Sequence, residues 1–205
     1  MSQNQDNNRV ESFWMHSLSL LDKVIYALRV KVLKKHLDCN NKIVADVWCW
    51  YNATFLRYIK KNYNPLKAIA YDLSLHKDFL IQEWIECIEG DSNNSLIWLE
   101  HIDVVFATAI LEHLSNPIWF LSGIYKVLKP WGVLLLTTPS IRSKPVLEFL
   151  AYKMRVISKV EIEDHKDYYD KQKLLSYCTQ AWFQKTNISH EYFEVYMNNL
   201  IIAKK

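Results

Sequence analysis

Three acids stand at or just past the ends of short apolar runs, where a carboxylate can meet a ligand. Asp46 lies near the end of Lys42–Val47, Asp72 closes Lys67-Ala-Ile-Ala-Tyr71-Asp72, and Asp91 follows Ile85–Glu89 and Gly90. A carboxylate at the C-terminal end of a buried strand can accept from two hydroxyls at once, which suits a ribose. Just past the first acid come Trp48-Cys49-Trp50, followed by an amphipathic segment that opens at Thr54. A strand, a tight turn and a helix in succession read as a nucleotide-binding turn. Such a turn uses glycine because it needs backbone angles that only glycine adopts cheaply, and because no Cβ then separates the chain from its ligand. Here indoles occupy those places. Glu112-His113 supply a candidate general base, since an unperturbed imidazole titrates near neutral pH. His165 and Tyr168-Tyr169 could shape an acceptor pocket or could be surface aromatics.

The elements that must hold these residues alternate along the chain. Leu18, Leu21, Ile25, Leu28, Val32 and Leu33 recur at helical spacing, so Ser17–Leu37 reads as a helix that either packs on the domain or covers its site. Strands are expected at 42–47, 67–72, 85–89, 102–107 and 133–139, with helices from Thr54 to about Asn62, over 73–84 and over 116–128. Lys129-Pro-Trp-Gly132 reads as a turn before the fifth strand. This rhythm predicts an α/β chain with a Rossmann-like, doubly wound, mostly parallel sheet. Beyond it, helices are expected at 143–157 and 170–180, a charged aromatic loop at 161–169, and an antiparallel hairpin from 183–190 and 192–203. The expected organisation is a 1–38 N-terminal extension with a packing or lid helix, its first dozen residues disordered, and a single domain over 39–205.

Composition bounds the reading. The 205 residues are 50% apolar and 23% charged, enough for one sizeable core. A formal charge of +3 without a basic stripe predicts no nucleic-acid partner and leaves a small-molecule acceptor as the expectation. Four cysteines at 39, 49, 87 and 178 have no metal-ligand spacing, so no metal is expected and a reduced, cytoplasmic chain is. No apolar run reaches the roughly 20 residues of a membrane span. An average chain of this length would hold about 14 glycines, whereas this one has Gly 3 and Trp 8.

In order along the chain, Asp46-Val-Trp-Cys-Trp50, Tyr71-Asp72-Leu73-Ser74, Gly90-Asp91, Asp103–Leu114 with its Leu-Glu-His, Leu128-Lys-Pro-Trp-Gly-Val-Leu-Leu-Leu-Thr-Thr-Pro139 and Ala181-Trp182-Phe183 resemble the motifs of the class I S-adenosylmethionine-dependent methyltransferases of the domain 11/12 type. The resemblance covers residues 40–205 and implies S-adenosylmethionine as cofactor. It implies that Asp46 orients the first loop or meets the cofactor's ammonium, and that Trp48, Cys49 and Trp50 stand on the loop beside the methionine end. By the same resemblance Asp72, with Leu73 beside it, takes the ribose. Asp91 and Ser92 meet the adenine unless Asp91 is spent on an Asx-turn, and Ala107 and Thr108 line the floor. The metal-binding acid of some O-methyltransferases falls at Ala109, so no metal carries over. Cys49 can equally be a small buried filler.

Trp48, Trp50, Trp131 and Trp182 stand where the family has glycine, and Trp84 is a fifth candidate. Two explanations stay open. The codons could be UGA read as glycine by the source organism, or the tryptophans could be genuine in a chain that has lost cofactor binding. The expected function is accordingly methyl transfer to a small-molecule or envelope/glycan precursor, with a non-catalytic Rossmann-like scaffold as the alternative.

Overall fold

A computed structural model describes residues 20–93, 96, 99–154, 157 and 159–205. The expectations for the N-terminal dozen residues, and for the start of the first helix, lie outside them. The chain forms two units, residues 1–38 and 39–205. In the first, α1 spans Leu20–Leu33 and runs into a 3₁₀ turn at Lys34–His36.

The second unit is built on seven strands: β1 (Ile43–Val47), β2 (Lys67–Asp72), β3 (Glu86–Glu89), β4 (Ile102–Thr108), β5 (Leu128–Pro139), β6 (Ile188–Phe193) and β7 (Asn198–Lys204). Their order in the sheet is β3-β2-β1-β4-β5-β7-β6. β1 to β5 are parallel, and β7 runs antiparallel between β5 and β6. Helices α2 (Thr54–Asn62), α3 (Lys77–Gln82), α4 (Pro117–Val127), α5 (Lys144–Glu148), α6 (Lys159–Asp164) and α7 (Lys171–Gln180) complete it. The mixed sheet with flanking helices is the class I methyltransferase fold expected above.

The central strands are apolar on both faces because both are covered. Val44, Ala45 and Val47 of β1, Val105 and Phe106 of β4, and Leu134 to Leu136 of β5 are all essentially inaccessible. The helix starts that the sequence marks with capping residues are capped as marked. Asn116 accepts from the Trp119 amide at 3.0 Å with Pro117 next in line, and Asp170 accepts from the Lys173 amide at 2.8 Å.

Several boundaries differ from expectation for identifiable reasons. The helix expected over 73–84 shrinks to Lys77–Gln82, because Leu75 gives its amide to Glu89 and Leu73 gives its to Asp72. The turn expected at 129–132 belongs to β5, which begins at Leu128 and passes it through a register shift opposite Ile102 and Val104. The helix expected over 143–157 divides into a 3₁₀ turn at Ile141–Ser143, α5 and a π-helical stretch at Phe149–Met154. The expected loop at 161–169 begins inside α6, and the hairpin strands start later, at 188 and 198.

Candidate functional site

The sheet order reverses between β1 and β4, and a crevice outside the strand ends at such a switch point is where this class of fold binds its ligand. Register puts the sequence-selected residues there. Asp46 pairs with Ala70 and with Phe106, Val47 with Ala107, and Asp72 with Glu89. The loop after β1 is tied down from both sides: the Trp48 amide donates to the Tyr71 carbonyl at 2.7 Å, and the Trp50 amide donates to Asp72 Oδ2 at 2.7 Å. Asp72 Oδ1 also accepts from the Leu73 amide at 2.7 Å. Trp48, Trp50 and Ala53 all hold positive φ, 72°, 65° and 41°.

Asp46 is buried to 1% exposure. With Asp72 it adds to burial in holding the Cys49 thiol well above its usual pKa. Cys49 is therefore a neutral filler rather than a thiolate nucleophile. Asp91 accepts from both the backbone and side-chain nitrogens of Asn93, at 2.8 and 3.1 Å, the Asx arrangement that competes with an adenine contact. Its neighbour Ser92 is buried, and among the described residues the Ser92 hydroxyl has no hydrogen-bond partner. Thr108 ends β4 with little exposure, and Ala107 is fully buried.

A second cluster, around His113, gathers residues that are far apart in the chain. His113 Nδ1 lies 2.8 Å from Asp164 Oδ2, and the His113 ring sits edge-on to His165 at 4.9 Å. His165 Nδ1 in turn lies 3.1 Å from the Tyr168 hydroxyl. Burial and the neighbouring His113, against an opposing pull from Asp164, lower the His165 pKa to about 4. Burial and the nearby Glu148 and Glu112 push the Tyr168 phenol up to about 12. Both groups are neutral near pH 7. A cavity of about 280 Å³ opens beside them, walled by Lys144, Tyr152, His165, Lys166 and Tyr168 among others. Glu112, buried to 1%, accepts from the Thr138 hydroxyl at 2.9 Å. Tyr169, read from sequence as either a pocket residue or a surface aromatic, is neither: it is fully buried, with its hydroxyl donated to the Leu111 carbonyl. Burial raises its pKa strongly. The pairings His113–Asp164 and Glu112–Thr138 have no signature in the sequence, because 51 and 26 residues separate the partners.

Glu112, His113 and His165 bring ligand atoms within 4.8 Å of one another, so among the described residues these three could hold a metal ion. No metal was expected from the sequence, on the cysteine spacing and on Ala109, neither of which bears on Glu112, His113 and His165.

A family model described as a methyltransferase domain matches residues 48–187. The chain belongs to that family. A relative from Wolinella succinogenes is 28% identical over 143 residues, 64% of this chain and 50% of its own length. It is named a tRNA U34 carboxymethyltransferase. Relatives of the same name from Sulfurovum and Desulfotalea psychrophila are 28% and 30% identical over 54% and 53% of this chain, and 38% and 36% of their own lengths. The chain thus spans half or less of these relatives. Among solved structures, an S-adenosylmethionine-dependent methyltransferase from Thermotoga maritima superposes with a TM-score of 0.67 at 14% identity, covering 97% of this chain and 95% of that one. One from Archaeoglobus fulgidus gives 0.65 at 18%, covering 89% and 94%.

These relatives overturn the expectation of a small-molecule acceptor and no nucleic-acid partner. Net charge failed as a guide because it averages over the surface.

The cofactor that the fold implies is S-adenosylmethionine. Asp72, the Ser92 hydroxyl and the small floor of β4 suit it. Trp48 does not. Its side chain is 5% exposed, belongs to the hydrophobic core, and stacks on His113 at 5.5 Å, in the crevice between the ends of β1 and β4. With that indole in place, the site as written does not fit the cofactor.

Proposed function

We propose that this family member is a cytoplasmic, S-adenosylmethionine-dependent methyltransferase whose acceptor is a nucleoside of tRNA. The acceptor cavity beside His113 carries this reading together with the names of the relatives. Tyr152 and Tyr168 offer faces on which a base can stack, and single-stranded RNA is commonly read by such stacking. Lys144, whose ammonium lies 5.9 Å from the Tyr168 ring centroid, and Lys166, whose Nζ donates to Ser115 Oγ at 2.9 Å, would supply the cations for RNA phosphates, with Glu148 and Asp167 lining the same cavity. In this reading His113, whose Nδ1 contacts Asp164 at 2.8 Å, takes the proton from the acceptor. Among the described residues no helix is long and apolar enough to cross a membrane.

Bulk tRNA and a small-molecule extract, each incubated with methyl-labelled S-adenosylmethionine and the protein carrying glycine at 48 and 50, test the reading. Label in a tRNA nucleoside, lost with Lys144→Ala/Lys166→Ala, supports it. Label confined to the small-molecule fraction overturns the acceptor.

A further inference from the structure

We infer that positions 48, 50, 84, 131 and 182 are glycine in the working protein, and that their five tryptophans stand at codons the source organism reads as glycine. The backbone carries this inference. Of the six tryptophans among the described residues, five hold left-handed φ: Trp48 at 72°, Trp50 at 65°, Trp84 at 58°, Trp131 at 69° and Trp182 at 76°. Only a few per cent of residues other than glycine adopt this region, and an indole gives no local reason to do so. None of the three glycines in the chain holds positive φ. The sixth tryptophan, Trp119, lies inside α4 with helical geometry.

Each position has a local backbone geometry that asks for glycine. Trp84 follows the α3 C-cap Glu83; its amide donates to the Ile81 carbonyl, and the next amide, Ile85, donates to Leu80. Trp182 follows the α7 C-cap Ala181 in the same way, with Trp182 donating to Thr179 and Phe183 to Cys178. Both are Schellman motifs, whose left-handed residue is usually glycine. Trp131 lies in β5 at the register shift opposite Ile102 and Val104, an irregularity whose left-handed residue is ordinarily glycine. Trp48 and Trp50 flank Cys49 in the nucleotide turn.

Loss of cofactor binding explains at most Trp48 and Trp50. Trp84 and Trp131 are 85% and 84% exposed and stand away from the site, so selection to fill a pocket does not reach them. A single cause acting on one codon reaches all five. Glycine at 48 removes the indole from His113 and opens the crevice between β1 and β4. Glycine at 50 clears the approach to Asp72 while keeping the amide that now contacts it.

The codon and backbone half of this inference stands independently of the proposed function; the cofactor half rests on it. The decisive test reads the gene and the protein from its natural host. UGA at the five positions with UGG at 119, and native peptides carrying glycine, are expected. UGG at the five positions, or native peptides carrying tryptophan, would overturn the inference. Calorimetry with S-adenosylmethionine on the chain as written and on the fivefold Trp→Gly form tests the cofactor half. Binding only by the fivefold form is expected, and equal binding by both refutes the steric role of Trp48. Glycine in native peptides with no binding by the fivefold form would overturn the proposed function and leave the glycine assignment standing.

Discussion

Asp72 does two jobs that one substitution separates. Its oxygens already accept from the Trp50 and Leu73 amides, so the carboxylate holds the first loop in place before any ligand arrives. Asp72→Ala should cost about 1 kcal/mol of stability, the scale for charge-assisted bonds at a partly exposed site. It should also weaken S-adenosylmethionine binding to the glycine-restored form. Asp72→Asn should recover part of the stability and little of the binding, as calorimetry and thermal melts would show together. Cys49 behaves differently. Its thiol is buried and held neutral by Asp46 and Asp72, so iodoacetamide should leave it unmodified in the folded protein at pH 8, and Cys49→Ala should keep binding intact. Rapid labelling of Cys49 in the native state would show that the loop opens. The acids were legible in sequence because each lies at the end of an apolar run. The His113–Asp164 pair was not, since it depends on how α6 returns across the strand ends.

At the scale of elements, the stretch after β5 is pinned to the sheet through Tyr169. Its hydroxyl donates to Leu111 at 2.9 Å, its carbonyl accepts from Asn199 Nδ2 at 3.1 Å, and its backbone bridges Ser140. Removing the hydroxyl leaves the buried Leu111 carbonyl without that donor. Tyr169→Phe should therefore lower stability by about 1–2 kcal/mol, read as a shift in the urea midpoint at unchanged slope. Next to it, His190 of β6 meets Asn199 Oδ1 at 2.8 Å, and burial lowers its pKa below 6.5 against that hydrogen bond. A histidine shifted down binds fewer protons folded than unfolded. Its contribution is then complete above pH 6.5 and is lost as pH falls through the folded value. The melting temperature of His190→Gln should fall less than that of the parent between pH 7 and pH 5, and parallel curves would refute the assignment. Such tethers are why boundaries here were poorly legible. Apolar periodicity marks where a strand or helix exists, but the Leu75–Glu89 and Ser140–Tyr169 contacts decide where it stops.

For the whole molecule, the left-handed tryptophans are an energetic burden comparable to the margin that keeps a domain folded. A residue other than glycine in that region costs about 1–2 kcal/mol, while a domain's net stability is about 5–15 kcal/mol. Three of the five, Trp84, Trp131 and Trp182, stand outside the crevice and are largely exposed, so they recover little by burial. Trp182 regains the most, through an edge contact with Tyr125 at 5.9 Å and the Lys126 ammonium at 5.3 Å. The added chain entropy of three glycines offsets under 1 kcal/mol each. The triple substitution W84G/W131G/W182G should thus gain about 2 kcal/mol net and raise the melting temperature by roughly 4–8 °C, at about 2–4 °C per kcal/mol for a domain of this size. Trp48→Gly belongs to a different class, because it trades core packing for a crevice. It should lower the melting temperature alone and restore it when S-adenosylmethionine is added, as ligand linkage demands. A triple variant that melts at or below the parent would mean that the three positions accept tryptophan without strain. Ligand-independent melting of the Trp48→Gly form would mean that the opened crevice is not a cofactor site.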